Sequence, residues 1–280
     1  NNNGGTTDDD NFDIEVHLLH ANFQGILGGG LSLYFVTNLD DCGSNAAACL
    51  QEDNDIYTVG FRQAGSLIGL KYRAEYYHQF GDASGDAAAT GTINFNGDEL
   101  NVDRDAYMFG LRIGKKFNNV AMKPSLTIWY DQLSGTDDED VNTDEWGAFN
   151  TLFDTGHKFY GHMDLFLNAR THGTEGMGLT DLAIKTAFQP VPGWTVKGAF
   201  HWFETDTDPG SNPKATANQV ATTVDSDLGQ EIDMQLIHKY NANTVISAGY
   251  SVFAGEQLFN SQRGTTEDAD WAYVQFDVKF

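Results

Sequence analysis

The sequence of 280 residues has no long apolar run, few prolines and few cationic side chains. No stretch approaches the roughly 20 apolar residues that a transmembrane helix needs. Helical membrane spans are therefore excluded. The chain has 16 Lys and Arg against 40 Asp and Glu, which gives a formal net charge of −24. This charge argues against a nucleic-acid partner, because binding to phosphates needs a cationic surface.

Cysteine is also scarce, and its two copies lie close together. Cys42 and Cys49 bracket the hexapeptide Gly-Ser-Asn-Ala-Ala-Ala in a polar segment. No His accompanies them at a metal-ligand spacing, and zinc needs more ligands than this segment offers. The pair therefore predicts a local disulfide in an oxidising compartment.

Alternation of apolar and polar residues is the feature that the chain has in abundance. Strand side chains alternate with period two, so one side of the last ten residues is apolar and carries Ala272, Val274, Phe276, Val278 and Phe280. A terminal strand that ends in Phe is typical of outer-membrane barrels. The 30 glycines, 19 Phe and 11 Tyr suit many strands, tight turns and aromatic girdles.

Eleven alternating segments are predicted to be strands. They span about 12–22, 28–39, 55–64, 68–81, 105–117, 122–134, 178–189, 194–205, 229–240, 244–255 and 269–280. Short turns alternate with long polar loops, which belong to the periplasm and the exterior respectively. We therefore predict an all-β fold, an antiparallel transmembrane β-barrel of the outer-membrane type over 12–280. Residues 1–11 are predicted to be a flexible extracellular loop or the start of a fragment.

The odd number of strands has an implication of its own, because bacterial single-chain barrels have an even number. Either residues 159–168 form a twelfth strand, or they are a structured part of a long loop. In the second case, further strands must come from outside this chain.

Several segments resemble the alginate-export family, the outer-membrane porins that carry acidic polysaccharide out of the cell. Residues 148–161, Ala-Phe-Asn-Thr-Leu-Phe-Asp-Thr-Gly-His-Lys-Phe-Tyr-Gly, are similar to a characteristic family segment. The strand–turn–strand at 179–203 and the last two strands, at 247–255 and 270–280, resemble the family as well. The resemblance implies an 18-stranded barrel, of which this chain is similar to the carboxyl-terminal two-thirds. The absent strands would lie on another chain, be cut away, or be missing from a shortened barrel.

The alternation of side chains along a strand, which we call strand parity, predicts on which side of the sheet each residue lies. It predicts that cations and acids lie in different parts of the barrel. Ten of the 16 cations fall on the inward side: Arg62, Lys71, Arg73, Arg112, Lys116, Lys123, Lys185, Lys197, Lys239 and Lys279. Many acids fall in outer loops, as at Asp137–Asp140 and Asp206–Asp208. A cationic lumen favours anionic solutes, because rings of one sign act as selectivity filters.

The predicted selectivity lining consists of Arg62, Lys71, Arg73, Arg112, Lys116, Lys123, Lys185 and Lys197, with two aromatic residues, Tyr77 and Trp129. Arginine forks hold carboxylates, and the aromatic rings would stack on sugar faces. The alternative is that the cations pair across strands with lumen acids such as Asp13, Glu15, Asp131, Glu231 and Asp233.

No catalytic residues are predicted, because the eight histidines are scattered and no Ser-His-Asp arrangement can be read from the sequence. No cofactor is expected. Calcium is the one metal with a candidate site, at Asp137, Asp138, Asp140 and Asp144, where the alternative is a solvated acidic loop.

These observations predict an outer-membrane channel of a Gram-negative bacterium that passes an anionic carbohydrate. Its expected partners are the lipid bilayer, lipopolysaccharide, the solute and another chain that supplies barrel strands. The alternative function is a scaffold barrel that docks a partner protein through its acidic extracellular loops.

Overall fold

The structure is a computed structural model that describes residues 14–40, 55–83, 102–137, 139–140, 144–153, 157, 159–166, 174, 176–210, 225–263 and 268–280. Its strands are β1 (Ile14–Ile26), β2 (Gly29–Asp40), β3 (Ile56–Leu67), β4 (Leu70–Asp82), β5 (Asp103–Lys116), β6 (Ser125–Leu133), β7 (Glu145–Trp146), β8 (Leu179–Phe188), β9 (Trp194–Glu204), β10 (Asp227–Lys239), β11 (Thr244–Gly255) and β12 (Ala269–Val278). A short helix, α1 (Gln257–Arg263), precedes β12.

All the strands belong to one sheet in which each long strand pairs with the next long strand along the chain. These pairings are antiparallel, and only the two-residue β7 is parallel to its partner, β5. The prediction of an all-β antiparallel fold is confirmed, and all eleven predicted strands are present with ends shifted by a few residues. Within the described ranges, β1 and β12 each pair on one side alone. The supply of further strands from elsewhere stays a prediction.

The two ends of the sheet differ in their connections. Two of the hairpins turn through two residues, Leu27-Gly28 and Ile68-Gly69, each with positive φ at both positions. This is the requirement of the type I′ turn, whose twist matches that of the flanking strands. We call this end the short-turn end, and the opposite end, where β9 ends at Glu204 and β10 begins at Asp227, the long-loop end.

The two faces of the sheet have opposite chemistry. The outer face exposes large apolar side chains, and Leu19, Val274 and Phe276 are 71%, 65% and 66% exposed. The inner face buries polar side chains, which include Gln79, Arg112, Asp131, His201 and Glu231. An apolar face turned outwards and a polar face turned inwards is the pattern of an outer-membrane barrel, in which lipid covers the outer face. None of the helical residues in the described ranges forms a span of the length and apolar character that crossing a membrane requires.

The described residues of 147–166, which we call the inner segment, lie against the inner face of the sheet. They contact β4 through Gln79, β10 through Glu231 and β12 through Trp271. Because strands distant in sheet order present the same face to one segment, the sheet curls around it. At the long-loop end, Phe166 packs against Phe203, Phe253 and Phe259, and so ties the inner segment to β9, β11 and α1.

Three expectations are corrected, and two more lie outside the described residues. Residues 159–166 do not form a strand, so the alternative of a structured loop holds there. Glu15 shares the outer face with Leu19, since both pair with β2 residues of outward parity. Lys123 lies in the turn between β5 and β6, at a positive φ of 46°, instead of on a strand. The predicted disulfide of Cys42 and Cys49 and the lumen acid Asp13 lie outside the described residues.

Candidate lumen site

Three arginines of the inner face surround one buried carboxylate, Glu75. The register places Arg62 opposite Glu75 and Arg73 opposite Arg112, so the four side chains meet on neighbouring strands. Arg112 Nη1 lies 2.8 Å from Glu75 Oε1, and Arg62 Nε lies 4.0 Å from Oε2. Arg73 Nη2 donates a hydrogen bond to Glu75 Oε1. Glu75 is 3% exposed, so the arginines compensate a charge that would otherwise be costly to bury.

Arg112 also contacts the second carboxylate of this cluster, Asp131. Arg112 Nη2 and the indole Nε1 of Trp129 each donate to Asp131 Oδ2 at 2.8 Å. The guanidinium of Arg112 lies 3.4 Å from the centroid of the Trp129 ring, and Lys185 Nζ lies 3.9 Å from it. The predicted pairing of lumen cations with acids therefore holds for the arginines. The Trp129 ring, expected to stack on sugars, is engaged by two cations.

The lysines of the predicted lining differ from the arginines. Lys71, Lys116 and Lys197 have exposed side chains, and Lys185 is half-buried. In the described part of the chain, none of these lysines has a carboxylate oxygen within 4.0 Å. Lys185 Nζ instead donates to the carbonyl oxygen of Phe159 at 3.4 Å. These lysines therefore add positive charge to the lining beside the arginine cluster, in which three guanidinium groups share two carboxylates.

On the side of β2, β4 and β5, the inner face forms a second aromatic and polar surface. Tyr77 lies 6.0 Å from Tyr34, which in turn stacks on His20 at 4.8 Å. Tyr77 lines a cavity of about 300 Å³ together with Arg73 and residues 149–152 of the inner segment. Tyr77 therefore stands beside the arginine cluster on the inner face.

The inner segment is fixed to β4 and β5 at its start. The side chain of Gln79 and the backbone of Asn150 exchange two hydrogen bonds, of 2.7 and 2.8 Å. Arg104 Nη1 donates to the carbonyl oxygen of Ala148 at 3.1 Å. Gln79 and Arg104 are 0% and 2% exposed, so these bonds are shielded from water.

Two carboxylates of β10 hold the later part of the inner segment. The amide of Met163 donates to Glu231 Oε1 at 2.9 Å, and the amide of His162 donates to Asp233 Oδ2 at 3.2 Å. Gly161 has a φ of +76°, and a Cβ at this position would lie 2.5 Å from the Glu231 carboxylate. Glycine is therefore required here both by the backbone and by the close approach of β10.

A buried cluster of polar side chains lies beside these contacts. His201 Nδ1 lies 2.9 Å from Asp181 Oδ1, and its Nε2 lies 3.7 Å from Asp233 Oδ2. Ser251 Oγ donates to Asp233 Oδ1 at 2.5 Å. The hydroxyl of Ser251 thus meets a carboxylate, whereas a serine hydrolase requires the imidazole in that position.

The acidic loop that was a calcium candidate is held by its own backbone. Asp137 Oδ1 accepts hydrogen bonds from the amides of Glu139 and Asp140, and Asp140 Oδ2 accepts one from the amide of Asp137. Burial raises the pKa of the Asp140 carboxyl to about 6. Among the described residues no group of three or more His, Cys, Asp or Glu side chains could hold a metal ion. Asp138 lies outside those residues, and Asp144 contributes its carbonyl oxygen to the amide of Asp103.

Sequence reasoning missed three residues of the site: Arg104, Asp181 and Gln79. Arg104 has the parity of Arg112 and lies one position before the predicted start of its strand, so a longer strand would have included it. Asp181 and Gln79 also have inward parity, but their partners, His201 and Asn150, are 20 and 71 residues away. Parity alone could have placed them on the inner face without indicating what they bind.

Comparison with known proteins gives one extensive match. The family model described as Alginate export matches residues 6–272. No curated protein is similar enough to the chain to count as a match. Among solved structures, outer membrane phospholipase A from Escherichia coli is similar at 11% identity and a TM-score of 0.34, over 95% of this chain and 78% of that one.

Proposed function

The chain belongs to the alginate export family, and we propose that it is an outer-membrane channel whose basic lumen passes anionic solutes. The proposed substrate class is acidic polysaccharide or a related carbohydrate, and the proposed location is the outer membrane of a Gram-negative bacterium. The family match over most of the chain and the apolar outer face support the channel itself.

The arginine cluster is the observation that supports selectivity for anions. Three guanidinium groups, those of Arg62, Arg73 and Arg112, share the carboxylates of Glu75 and Asp131. The side chains of Arg62 and Arg73 are 38% and 27% exposed, whereas that of Arg112 is 8% exposed. Arg62 and Arg73 can therefore contact a solute in the lumen, while Arg112 holds the cluster together.

The chemistry of guanidinium suits a polymer that carries carboxylates. Each fork can present two parallel N–H donors to one carboxylate, which adds geometric specificity to the charge attraction. A passing carboxylate would share Arg62 and Arg73 with Glu75 and then leave, because the resident carboxylate competes for the same donors. Conduction requires sites of this kind, which bind well enough for entry and weakly enough for exit.

The test is the reversal potential of the purified channel in planar bilayers under a KCl gradient. We expect anion selectivity, and we expect Arg62→Gln and Arg73→Gln each to lower the anion-to-cation permeability ratio about 5-fold, since one charge at ~4 Å in water contributes about 1 kcal/mol. Glu75→Gln should raise the ratio. Lys115→Gln, which removes a cation of outward parity from β5, is the matched control. Cation selectivity that none of these changes alters would contradict the proposal.

A further inference from the structure

The cavity beside Tyr77 is unusual for the inside of a barrel because much of its wall is apolar. Its volume is about 300 Å³, and it lies between the inner segment and the inner faces of β2–β5. The apolar part of the wall comes from these strands and from the inner segment: Val36, Met108, Phe149, Leu152, Phe159 and Tyr160. The interior of a transmembrane barrel is otherwise polar. A concave apolar surface in this place indicates a site for a ligand that is itself partly apolar.

The inner segment presents Leu152 to this cavity through a turn with an unfavourable backbone conformation. Leu152 has a φ of 62°, in the left-handed region that residues with a side chain seldom adopt. Its amide donates a hydrogen bond to Asn150 Oδ1 at 2.8 Å, and Gln79 holds the backbone of Asn150. A large apolar side chain is therefore kept at the cavity at a cost in free energy, and such backbone outliers cluster at ligand sites.

The charged groups at the cavity already have partners. Arg73, Arg112 and Glu75 line it, and both arginines contact the Glu75 carboxylate. Arg112 is also paired with Asp131. A carboxylate that enters the cavity has to compete with Glu75 for the same guanidinium donors, whereas an uncharged ligand leaves these ion pairs intact.

Two tyrosine hydroxyls at the cavity are available to a ligand. Tyr160 is 6% exposed, and Tyr77 is half-buried. Within the described ranges, neither hydroxyl forms a hydrogen bond with another residue, and both side chains line the cavity. Buried polar groups are normally hydrogen-bonded, and one without a partner is costly. An oxygen atom of a ligand would supply the partner that Tyr160 lacks.

We propose that this cavity binds a small uncharged aromatic molecule that carries one hydroxyl or carbonyl group. The ring packs against the apolar wall, and its oxygen pairs with the hydroxyl of Tyr160. Aromatic walls favour a flat ring, because aromatic pairs gain free energy beyond the area that they bury. A cavity of about 150 Å³ holds benzene, so one of about 300 Å³ has room for a ring with a short substituent. The inference goes beyond the proposed function, because this ligand is not an anion.

Ligand-observed NMR of the protein in lipid nanodiscs tests this site with 2-phenylethanol as the probe. The signal from nanodiscs without protein is subtracted, so that dissolution in lipid does not count as binding. We expect saturable binding, and we expect 2-cyclohexylethanol and phenylacetate each to bind about 5-fold more weakly, because one lacks the aromatic ring and the other buries a charge. Equal or tighter binding of either compound would overturn the proposed ligand class.

Two pairs of variants locate the bound probe. Val36→Phe fills the cavity and should abolish saturable binding, whereas Val59→Phe, the same change on the outer face, should leave it unaltered. Tyr160→Phe removes only the hydroxyl and should weaken binding about 5-fold. Tyr250→Phe, on the outer face, should bind the probe like the original protein. Heat-modifiable migration on gels verifies that each variant is folded.

The methyl group of Met108 reports the position of the probe in the unaltered protein. Met108 lines the cavity, so the ring protons of 2-phenylethanol should show intermolecular NOEs to this methyl group when methionine methyls are labelled. The absence of these NOEs at a saturating concentration would overturn the inference. Saturable binding that persists in Val36→Phe would overturn it as well, because the probe would then occupy another place.

Discussion

Gln79 and Asn150 bind each other through a reciprocal pair of hydrogen bonds. Gln79 Nε2 donates to the carbonyl oxygen of Asn150 at 2.7 Å, and the amide of Asn150 donates to Gln79 Oε1 at 2.8 Å. A side-chain amide therefore pairs with the backbone of the inner segment as a neighbouring strand would. This contact holds the start of the inner segment against the inner face of β4.

Replacement of Gln79 by Leu should release this end of the inner segment. The change removes the two hydrogen bonds that Gln79 makes to the amide and the carbonyl of Asn150, at a cost of about 1–3 kcal/mol for each buried group. We expect hydrogen exchange at the Asn150 amide to become at least about 10-fold faster, because 1.4 kcal/mol is a factor of ten. Gln63→Leu is the control, since Gln63 is also buried but bonds to Ile26 and Tyr72. Equal exchange in the two variants would show that Gln79 does not anchor the inner segment.

A methyl group at Gly161 should displace the inner segment from β10. Gly161→Ala places a Cβ 2.5 Å from the carboxylate of Glu231, at a residue whose φ is +76°. Gly69→Ala is a matched control, because Gly69 has a φ of +75° and a Cβ added there would meet no atom within 4 Å. Both variants carry the left-handed backbone cost of about 1–2 kcal/mol. Only Gly161→Ala should also raise single-channel conductance, and equal conductance in the two variants would exclude the steric contact as a constraint on the lumen.

The acidic loop should respond to pH through Asp140. Burial raises the pKa of this carboxyl from its ordinary value of 3.8 to about 6, so the folded loop binds a proton more tightly than the unfolded chain. The resulting stabilisation is complete below about pH 4 and is lost as the pH rises through about 6. The Cγ chemical shift of Asp140 in a carbon NMR titration measures this pKa directly. Asp140→Asn should remove that part of the pH dependence, and a titration near the ordinary value of 3.8 would contradict the assignment.

The two faces of β12 should tolerate charge differently. Val274 belongs to the outer face and is 65% exposed, whereas Gln275 has the opposite parity. Val274→Arg should destabilise the protein in liposomes by about 2–4 kcal/mol if it lies near the middle of the bilayer. Gln275→Arg, on the inner face, should change the free energy of unfolding by no more than about 0.5 kcal/mol. Urea unfolding from liposomes compares the two, and a larger cost at Gln275 would reverse the assignment of the faces.

Much of the sheet could be predicted from sequence because period two is a local signal. In β4 and β5, apolar and polar residues alternate cleanly, and the faces of Arg73 and Leu111 follow from parity. In β1 the signal fails, since Leu18 and Leu19 are adjacent and both faces carry apolar residues. The sequence therefore predicts the wrong face for Glu15, which lies on the outer face.

The candidate site could be predicted only in part, because its contacts join distant parts of the chain. The amide of Met163 and the carboxylate of Glu231 are 68 residues apart, and neither residue type indicates such a partner. The sequence of the inner segment resembles a known family segment. Its apolar and polar residues alternate too weakly to show whether residues 159–168 form a strand or part of a loop. The polar side chains that hold it, Gln79 and Arg104, were visible only as residues of inward parity.

The strand pairing of the sheet does not depend on the inner segment that lies against its inner face. β6 and β8 pair over nine consecutive positions, from Ser125 opposite Ala187 to Leu133 opposite Leu179, although the inner segment lies between them in the chain. The hydrogen-bonded ladders between neighbouring long strands thus form without any contribution from that segment. Variation in the inner segment could therefore change the width or the charge of the lumen while every strand keeps its register. One sheet could thus serve channels for solutes of different size.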